Sequence, residues 1–227
     1  MTILVAAAVL LLLIFGPGLW VQRVLERYSA PPDRYAASGA EVARTLLDAH
    51  GMAGVKVEST EAGDHYDPAE KAVRLTADKF EGHSLTAVTV AAHEVGHALQ
   101  DRDGYAPLRL RTALVRAAGP VQKLGAGVLM ASPFLGLFTR APQLGIVLFL
   151  AGFATLATTT LVHLVTLPTE LDASFGRALP LLDEHRLLKP VDRPHARRLL
   201  TAAALTYVAA SLMSLLNVAR WWAILRR

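Results

Sequence analysis

The chain has 227 residues, of which 53% are hydrophobic, and its mean hydropathy of +0.37 is too high for an ordinary soluble domain. It contains no cysteine, which excludes disulfide frameworks, thiolate metal sites and cysteine nucleophiles. The net charge is +4, but the basic residues are scattered and lack interleaved aromatic residues, so we expect no nucleic-acid partner. Composition predicts a membrane protein with a modest soluble part, in which the basic excess reports topology and contact with the lipid bilayer.

The N-terminal stretch predicts a first membrane span. Residues 1–22 carry no charge and are long enough to cross a bilayer. A cleaved signal peptide is the alternative, but the basic residues that would precede its apolar core are missing, and Arg23 and Arg27 follow the apolar run instead. The expected organisation is a span at 1–22, a soluble part at 23–120, spans at 121–139 and 141–167, a helix with a connecting segment at 168–198, a span at 199–219 and a basic tail at 220–227.

Charge predicts the side of the membrane on which the soluble part lies. With four spans, segments 23–120 and 168–198 fall on the same side. Basic residues near the span ends are denser on that side than on the other. Because cytoplasmic loops carry an excess of Lys and Arg, we expect the soluble part on the cytoplasmic side.

The segment with the clearest chemistry is LTAVTVAAHEVGHALQD, residues 85–101. It reads as a helix, since Ser84 can cap its N-terminus and no proline interrupts it. His93 and His97 are four residues apart and therefore share one helix face, where both imidazoles can bind a single zinc ion. Glu94 lies beside them and can act as general base toward a zinc-activated water. The flanking residues are apolar, which makes an unpaired polar cluster costly and favours metal binding.

The rest of the soluble part predicts a small mixture of helix and strand. Residues 38–50 read as an amphipathic helix that ends at Gly51. Residues 55–58 and 72–76 alternate as short strands, with a polar turn segment between them. An extended substrate could pair with the strand at 72–76 if that strand forms an exposed edge.

A third zinc ligand has to come from another segment on the same side of the membrane. The segment LPTELDAS at 167–174 fits, because Pro168 suits the first turn of a new helix that begins where the third span ends. Glu170 is the leading candidate, and Asp172, which points elsewhere on the helix, is the weaker one. Acidic residues are also common in a first helical turn without any metal.

Several motifs in order carry a resemblance to a known family. They are DHYDP (64–68), VRLTAD (73–78), SLTAVTVAAHEVGHALQD (84–101), GYAPLRLR (104–111) and LPTELDASFGRAL (167–179). Together they resemble the YugP-type neutral zinc metallopeptidases, which are bacterial membrane proteins. The resemblance implies a zinc peptidase of the bacterial cell membrane with ligands at His93 and His97 and with Glu94 as catalytic residue.

That family is distantly similar to the HtpX-type membrane peptidases, whose third ligand is the first Glu of an E-x-x-A-D motif. This Glu maps onto Glu170, while Ser174 stands where the motif has an acid. Such an acid would orient a ligand histidine, and a serine hydroxyl can still accept an imidazole N–H.

The predicted fold is mainly α: a four-span transmembrane helix bundle with a small α+β, zincin-like catalytic part built around the H-E-x-x-H helix. The predicted function is a membrane-embedded, zinc-dependent endopeptidase acting on proteins or peptides, with Zn²⁺ on His93, His97 and Glu170. For the tetrahedral oxyanion a second donor is needed. The candidates are Arg177, Tyr66 and His65, although Arg177 can instead pair with Asp172.

Two other functions are consistent with part of the pattern. An intramembrane site-2-type protease also uses H-E-x-x-H, but its motif sits in a full span, whereas the helix here carries Thr86, Thr89 and Gln100. A non-catalytic, zinc-stabilised membrane scaffold is the second alternative. Glu94 disfavours it, because a structural site has no use for a base beside the metal.

Overall fold

The computed structural model describes residues 2–117, 127–128, 131, 134, 142–206 and 209. The described residues form a mainly helical fold with one small sheet, in the order α1 (Thr2–Tyr28), α2 (Gly39–Ala49), β1 (Lys56–Thr60), β2 (His65–Asp67), β3 (Ala72–Thr76), α3 (Ala77–Phe80), α4 (Leu85–Arg102), α5 (Pro142–Leu171), a π-helix (Asp172–Ala178), α6 (Leu179–Glu184) and a 3₁₀ helix (Pro190–Asp192). Residues 106–117 and 193–206 are also helical.

The chain divides into two compact units. One comprises the described residues of 1–18, 110–166 and 207–227, and the other comprises residues 19–109 and 167–206. The second unit contains the sheet, helices α2, α3, α4 and α6, and the π-helix, together with all the candidate site residues. The site can therefore be described entirely within this unit.

The sheet has three strands in the order β1-β3-β2, with β1 parallel and β2 antiparallel to β3. Val73 of β3 lies opposite Val57 of β1 and Tyr66 of β2. The central strand β3 is thus paired on both sides. The predicted condition for a substrate to pair with residues 72–76, an exposed edge, is not met.

Helix α4 lies at the centre of the second unit and is buried on every side from Leu85 to Gln100. Its N-terminus is capped by Ser84, whose hydroxyl accepts a hydrogen bond from the Ala87 amide at 3.1 Å. Helix α2, closed by a reciprocal Ser38–Glu41 capping box, packs its apolar face into the same core. The predictions of helices at 38–50 and 85–101 and of a strand at 72–76 are confirmed.

The predicted four-span bundle is wrong. Of the helices in the described ranges, none combines the length and the apolar character that a membrane crossing requires. The apolar runs of the sequence do not coincide with helix bounds: α1 continues through Arg23 and Arg27, and α5 continues past residue 167 to Leu171 and so includes Glu170. Most of the predicted spans at 121–139 and 199–219 lies outside the described residues.

The expected helix start at Pro168 is also wrong. Helix α5 runs through Pro168 without a break and passes into the π-helix at Asp172. A proline inside a helix removes one backbone hydrogen bond, and short π-helical stretches are frequent at functional sites. The change of helix type falls directly after Glu170.

Candidate metal centre

Three side chains converge in the buried interior of the second unit. His93 and His97 project from one face of α4, with their ring centroids 4.8 Å apart in a T-shaped arrangement. The Nε2 atoms of both rings lie 3.3 Å from Oε2 of Glu170. Their exposed fractions are only 4%, 4% and 1%. The potential ligand atoms all lie within 4.8 Å of one another, so they can hold one metal ion.

The approach of the glutamate segment depends on a glycine of α4. A Cβ atom added to Gly96 would lie 2.6 Å from the backbone oxygen of Ala173 in the π-helix. No real Cβ contact is that short, so only glycine lets the two backbones pack at this separation. Because Gly96 lies between the two histidines in sequence, this contact brings the π-helix, and with it Glu170, close to their rings.

The carboxyl group of Glu170 is held ionised. Burial alone would raise its pKa, but the charge interaction with His97 and the hydrogen bonds from His93 and His97 outweigh burial and hold the pKa well below its usual range. An ionised carboxylate beside two imidazole nitrogens is a suitable oxygen ligand for a divalent cation.

The far side of the His93 ring is also hydrogen-bonded. Ser174 Oγ lies 3.1 Å from Nδ1 of His93 and 3.1 Å from the Leu200 carbonyl oxygen. A hydroxyl has one hydrogen, and the carbonyl can only accept it, so Ser174 accepts from Nδ1–H of His93. With Nδ1–H held in this way, Nε2, which faces Glu170, is the nitrogen that would give up its hydrogen and present a lone pair to a metal ion.

The donor set fits zinc. Two imidazole nitrogens and one carboxylate oxygen, without sulfur, form the three-ligand set that catalytic zinc sites use together with an open fourth position. The second ring, His97, has its Nδ1 atom 2.9 Å from Oε1 of Gln100, so both imidazoles have partners on the side away from Glu170.

Glu94 shares the burial of the two histidines. It follows His93 directly on α4 and is 6% exposed. Its position next to a ligand on the same helix is the one that the sequence pattern predicts for a general base.

Arg177 and Asp172 form an ion pair beside the three ligands. Arg177 Nε donates to Asp172 Oδ2 at 2.9 Å, and its Nη1 donates to Asp103 Oδ2 at 2.6 Å. The pairing of Arg177 with Asp172, one of the two predicted alternatives, is therefore present. Asp172 does not belong to the group that can hold the metal.

The two candidates on β2 lie outside the three-residue group. His65 is half-buried, with Nδ1 2.8 Å from the Gly63 carbonyl oxygen. The Tyr66 hydroxyl donates to Asp101 Oδ2 at 2.6 Å, and burial together with this contact raises the pKa of the phenol above its usual range. The hydroxyl hydrogen of Tyr66 is thus already engaged.

Gln100 is the site residue that sequence reasoning missed. A signal for it exists, because residues three apart on a helix share a face and Gln100 follows His97 by three positions. From the sequence alone, Gln100 indicates only a helix that is unsuited to lipid.

A buried H-E-x-x-H helix whose two histidines meet a distant glutamate is the arrangement of zinc metallopeptidases. Comparison with known families agrees: residues 2–226 match the family described as "Putative neutral zinc metallopeptidase", and the chain belongs to it. The predicted family and the predicted zinc cofactor are confirmed.

A curated relative is similar over most of both chains. The chain is 35% identical over 209 residues to the protein named "Putative membrane protease YugP" of Bacillus subtilis (strain 168). The alignment covers 88% of this chain and 86% of that protein. No solved structure matches.

Proposed function

We propose that this protein is a zinc-dependent endopeptidase with zinc held by His93, His97 and Glu170. The observation that carries the proposal is the convergence of these three buried side chains on one point, from two segments 73 residues apart. Family membership supports the activity class, since the family is one of zinc peptidases.

The catalytic step needs a base next to the metal ligands, and Glu94 is proposed for it. When bound, zinc supplies Lewis acidity that polarises the scissile carbonyl and makes a water molecule more acidic. Glu94 takes a proton from the attacking water as the new C–O bond forms, and delivers it to the amine nitrogen as the C–N bond breaks. Burial of Glu94 keeps this carboxylate apart from bulk water.

The oxyanion of the tetrahedral intermediate needs a further donor, for which Arg177 and His65 remain proposals. Arg177 is connected to the metal ligands, because its partner Asp172 also accepts from Gln100, which contacts His97. His65 lies on β2. The next residue of this strand, Tyr66, donates a hydrogen bond to Asp101 of α4. Arg177 is the stronger candidate.

Substrate binding is proposed along β2. In the described sheet this strand pairs only with β3, so its other edge has no strand partner there, and an extended peptide could pair with it. The Tyr66–Asp101 hydrogen bond holds β2 against the end of α4, the helix that carries both histidines. A protein or peptide in extended form is the substrate that such an edge accepts.

For location we propose the bacterial cell membrane. The printed name of the Bacillus relative describes that protein as a membrane protease. Large apolar side chains of α1 and α5, among them Leu12, Ile146 and Val147, are more than half exposed, which supports contact with lipid.

Hydrolysis of an unfolded protein by the purified, zinc-loaded chain tests the function. We expect Glu94→Gln to bind zinc with unchanged stoichiometry and to lose at least about 100-fold in rate, because proton transfer is removed while the ligands stay. The matched control is Glu61→Gln, which changes an exposed glutamate in a loop. Removal of zinc by a chelator should abolish the wild-type rate, and added zinc should restore it.

Equal cleavage by the wild type and Glu94→Gln would contradict the proposed base. Stoichiometric zinc binding without cleavage by either protein would instead favour the non-catalytic scaffold.

A further inference from the structure

Gln100 is fully buried and has hydrogen-bond partners at both ends of its amide. Its Oε1 lies 2.9 Å from Nδ1 of His97. Its Nε2 lies 2.8 Å from the backbone oxygen of Thr169 and 2.8 Å from Oδ2 of Asp172. One uncharged side chain of α4 therefore contacts a histidine ligand and two residues that flank Glu170.

These partners leave a single orientation for the amide. The Thr169 carbonyl and the Asp172 carboxylate only accept hydrogen bonds, so the NH₂ group has to face them. The oxygen Oε1 then faces His97, and because it only accepts, Nδ1 of His97 carries the hydrogen. The reversed amide would set an oxygen against two acceptors, which is costly in a buried site.

The orientation of Gln100 consequently determines the tautomer of His97. With a hydrogen fixed on Nδ1, Nε2, which lies 3.3 Å from Oε2 of Glu170, is the nitrogen that would give up its hydrogen to bind a metal ion. Ser174 has the same effect on His93 through a different segment, so each histidine has its own orienting partner.

Gln100 also acts on the segment that carries Glu170. Thr169 precedes this glutamate by one position and Asp172 follows it by two, and the helix changes from α to π between them. The wider π turn gives a different side-chain direction from a continued α-helix. The two donated hydrogen bonds join this transition to α4 at the level of His97.

The contact extends from Asp172 to the end of α4. Asp172 Oδ2 accepts from Arg177 as well as from Gln100, and Arg177 donates in turn to Asp103, the C-terminal cap of α4. The π-helix is therefore bonded to α4 at two places, through Gln100 and through Asp103.

We propose that Gln100 is a positioning residue that sets the tautomer of His97 and holds the Glu170 segment at the distance that zinc binding requires. This inference rests on the proposed metal site. Loss of a hydrogen-bond partner of a ligand histidine typically costs 10- to 100-fold in metal affinity. We expect at least a tenfold loss here, because the same change also frees the glutamate segment.

The test measures the zinc dissociation constant of the full-length chain by competition with a chromophoric chelator. Gln100→Met replaces the amide by an apolar side chain of similar size and should weaken zinc binding at least about tenfold. Thr86→Val is the matched control. It removes another buried hydrogen bond of α4, from Thr86 Oγ1 to the Leu25 carbonyl at 2.9 Å, two helical turns away from His93. Its zinc affinity should stay within about threefold of the wild type.

Cobalt substitution provides a readout that a merely structural role would not change. The visible d–d absorption of bound Co²⁺ depends on ligand geometry, so Gln100→Met should alter its band positions while Thr86→Val should not.

A second variant pair applies if Gln100→Met fails to fold. Asp172→Ala removes one acceptor of Gln100 and should weaken zinc binding, whereas Asp183→Ala, which breaks the exposed ion pair with Arg193, should not.

Each outcome bears on the inference. The inference is overturned if Gln100→Met binds zinc within threefold of the wild-type affinity. It is also overturned if Thr86→Val loses as much zinc affinity as Gln100→Met does. Either result leaves the proposed metal site intact. Absence of zinc binding in the wild type overturns the proposed function and the inference together.

Discussion

At the scale of single residues, Ser174 contacts His93 at the position where the E-x-x-A-D motif, which the segment resembles, has an acid. Its hydroxyl donates to the Leu200 carbonyl and accepts from His93 Nδ1. A carboxylate here would lie against that carbonyl oxygen, with two acceptors facing each other. A serine at position 174 can therefore bond to the Leu200 carbonyl and to His93 at the same time.

Ser174→Ala should lower zinc affinity by about tenfold, because Nδ1 of His93 loses its acceptor inside a buried site. A chelator competition experiment measures the change. Ser29→Ala, which removes an exposed hydroxyl bonded to the Leu25 carbonyl, is the control and should bind zinc as the wild type does. Unchanged affinity in Ser174→Ala would show that the tautomer of His93 does not depend on this hydroxyl.

At the scale of elements, the site lies where α4 packs against the end of α5 and the π-helix that follows it. Gly96 lies against the backbone of Ala173, and a side chain there would meet an oxygen that cannot move aside. The predictions of α4 and its two histidines came from local patterns, whereas this close packing depends on the partner segment. The π-helix was not predicted at all.

Gly96→Ala should push the two helices apart and destabilise the fold by about 1–3 kcal/mol, the range for overpacked cores. Zinc affinity should fall with it, since Glu170 moves with the π-helix. Gly54→Ala is the matched control, because a Cβ at Gly54 meets nothing within 4 Å, and it should change stability by less than about 0.5 kcal/mol. Denaturant unfolding measures both. Wild-type stability in Gly96→Ala would contradict the packing argument.

At the scale of the whole molecule, Asp192 joins distant parts of the chain within the second unit. Its buried carboxylate accepts hydrogen bonds from the Arg34 guanidinium and, at 2.6 Å, from the Tyr35 hydroxyl, both more than 150 positions earlier. The hydrogen bond from Arg34 lowers the pKa of Asp192, although burial opposes it. Burial and the contact with Asp192 raise the pKa of Tyr35 to about 12.

The hydrogen bonds to Asp192 predict how the stability of the fold decreases at acid pH. The pKa of Asp192 is lower in the folded than in the unfolded chain, so its contribution is complete above the unfolded value of about 4 and is lost as the pH falls through the folded value. Asp192→Asn should be less stable than the wild type at neutral pH and should lose less stability on acidification. Thermal unfolding between about pH 7 and pH 3 measures this, with Asp33→Asn as an exposed control. Parallel wild-type and Asp192→Asn curves would contradict the assignment.

Local patterns in the sequence were sufficient to predict the H-E-x-x-H helix, the helix α2 and the short strand at 72–76. Their signals are contained within a few residues: histidines four apart, a serine at a helix start, alternating apolar side chains. Glu170 was also predicted as the partner of His93 and His97, from its place in the chain and from a motif resemblance. The structure brings these three together.

Features that depend on contacts between distant segments could be seen only in the tertiary structure. The apolar runs suggested four spans, yet helix bounds in the described chain do not follow those runs. The strand at 72–76 is central and not an edge, because β1 and β2 both pair with it. Gln100 became a site residue only through Thr169 and Asp172, about 70 positions away. Periodicity reports which face of an element is apolar, but not which distant element packs against that face.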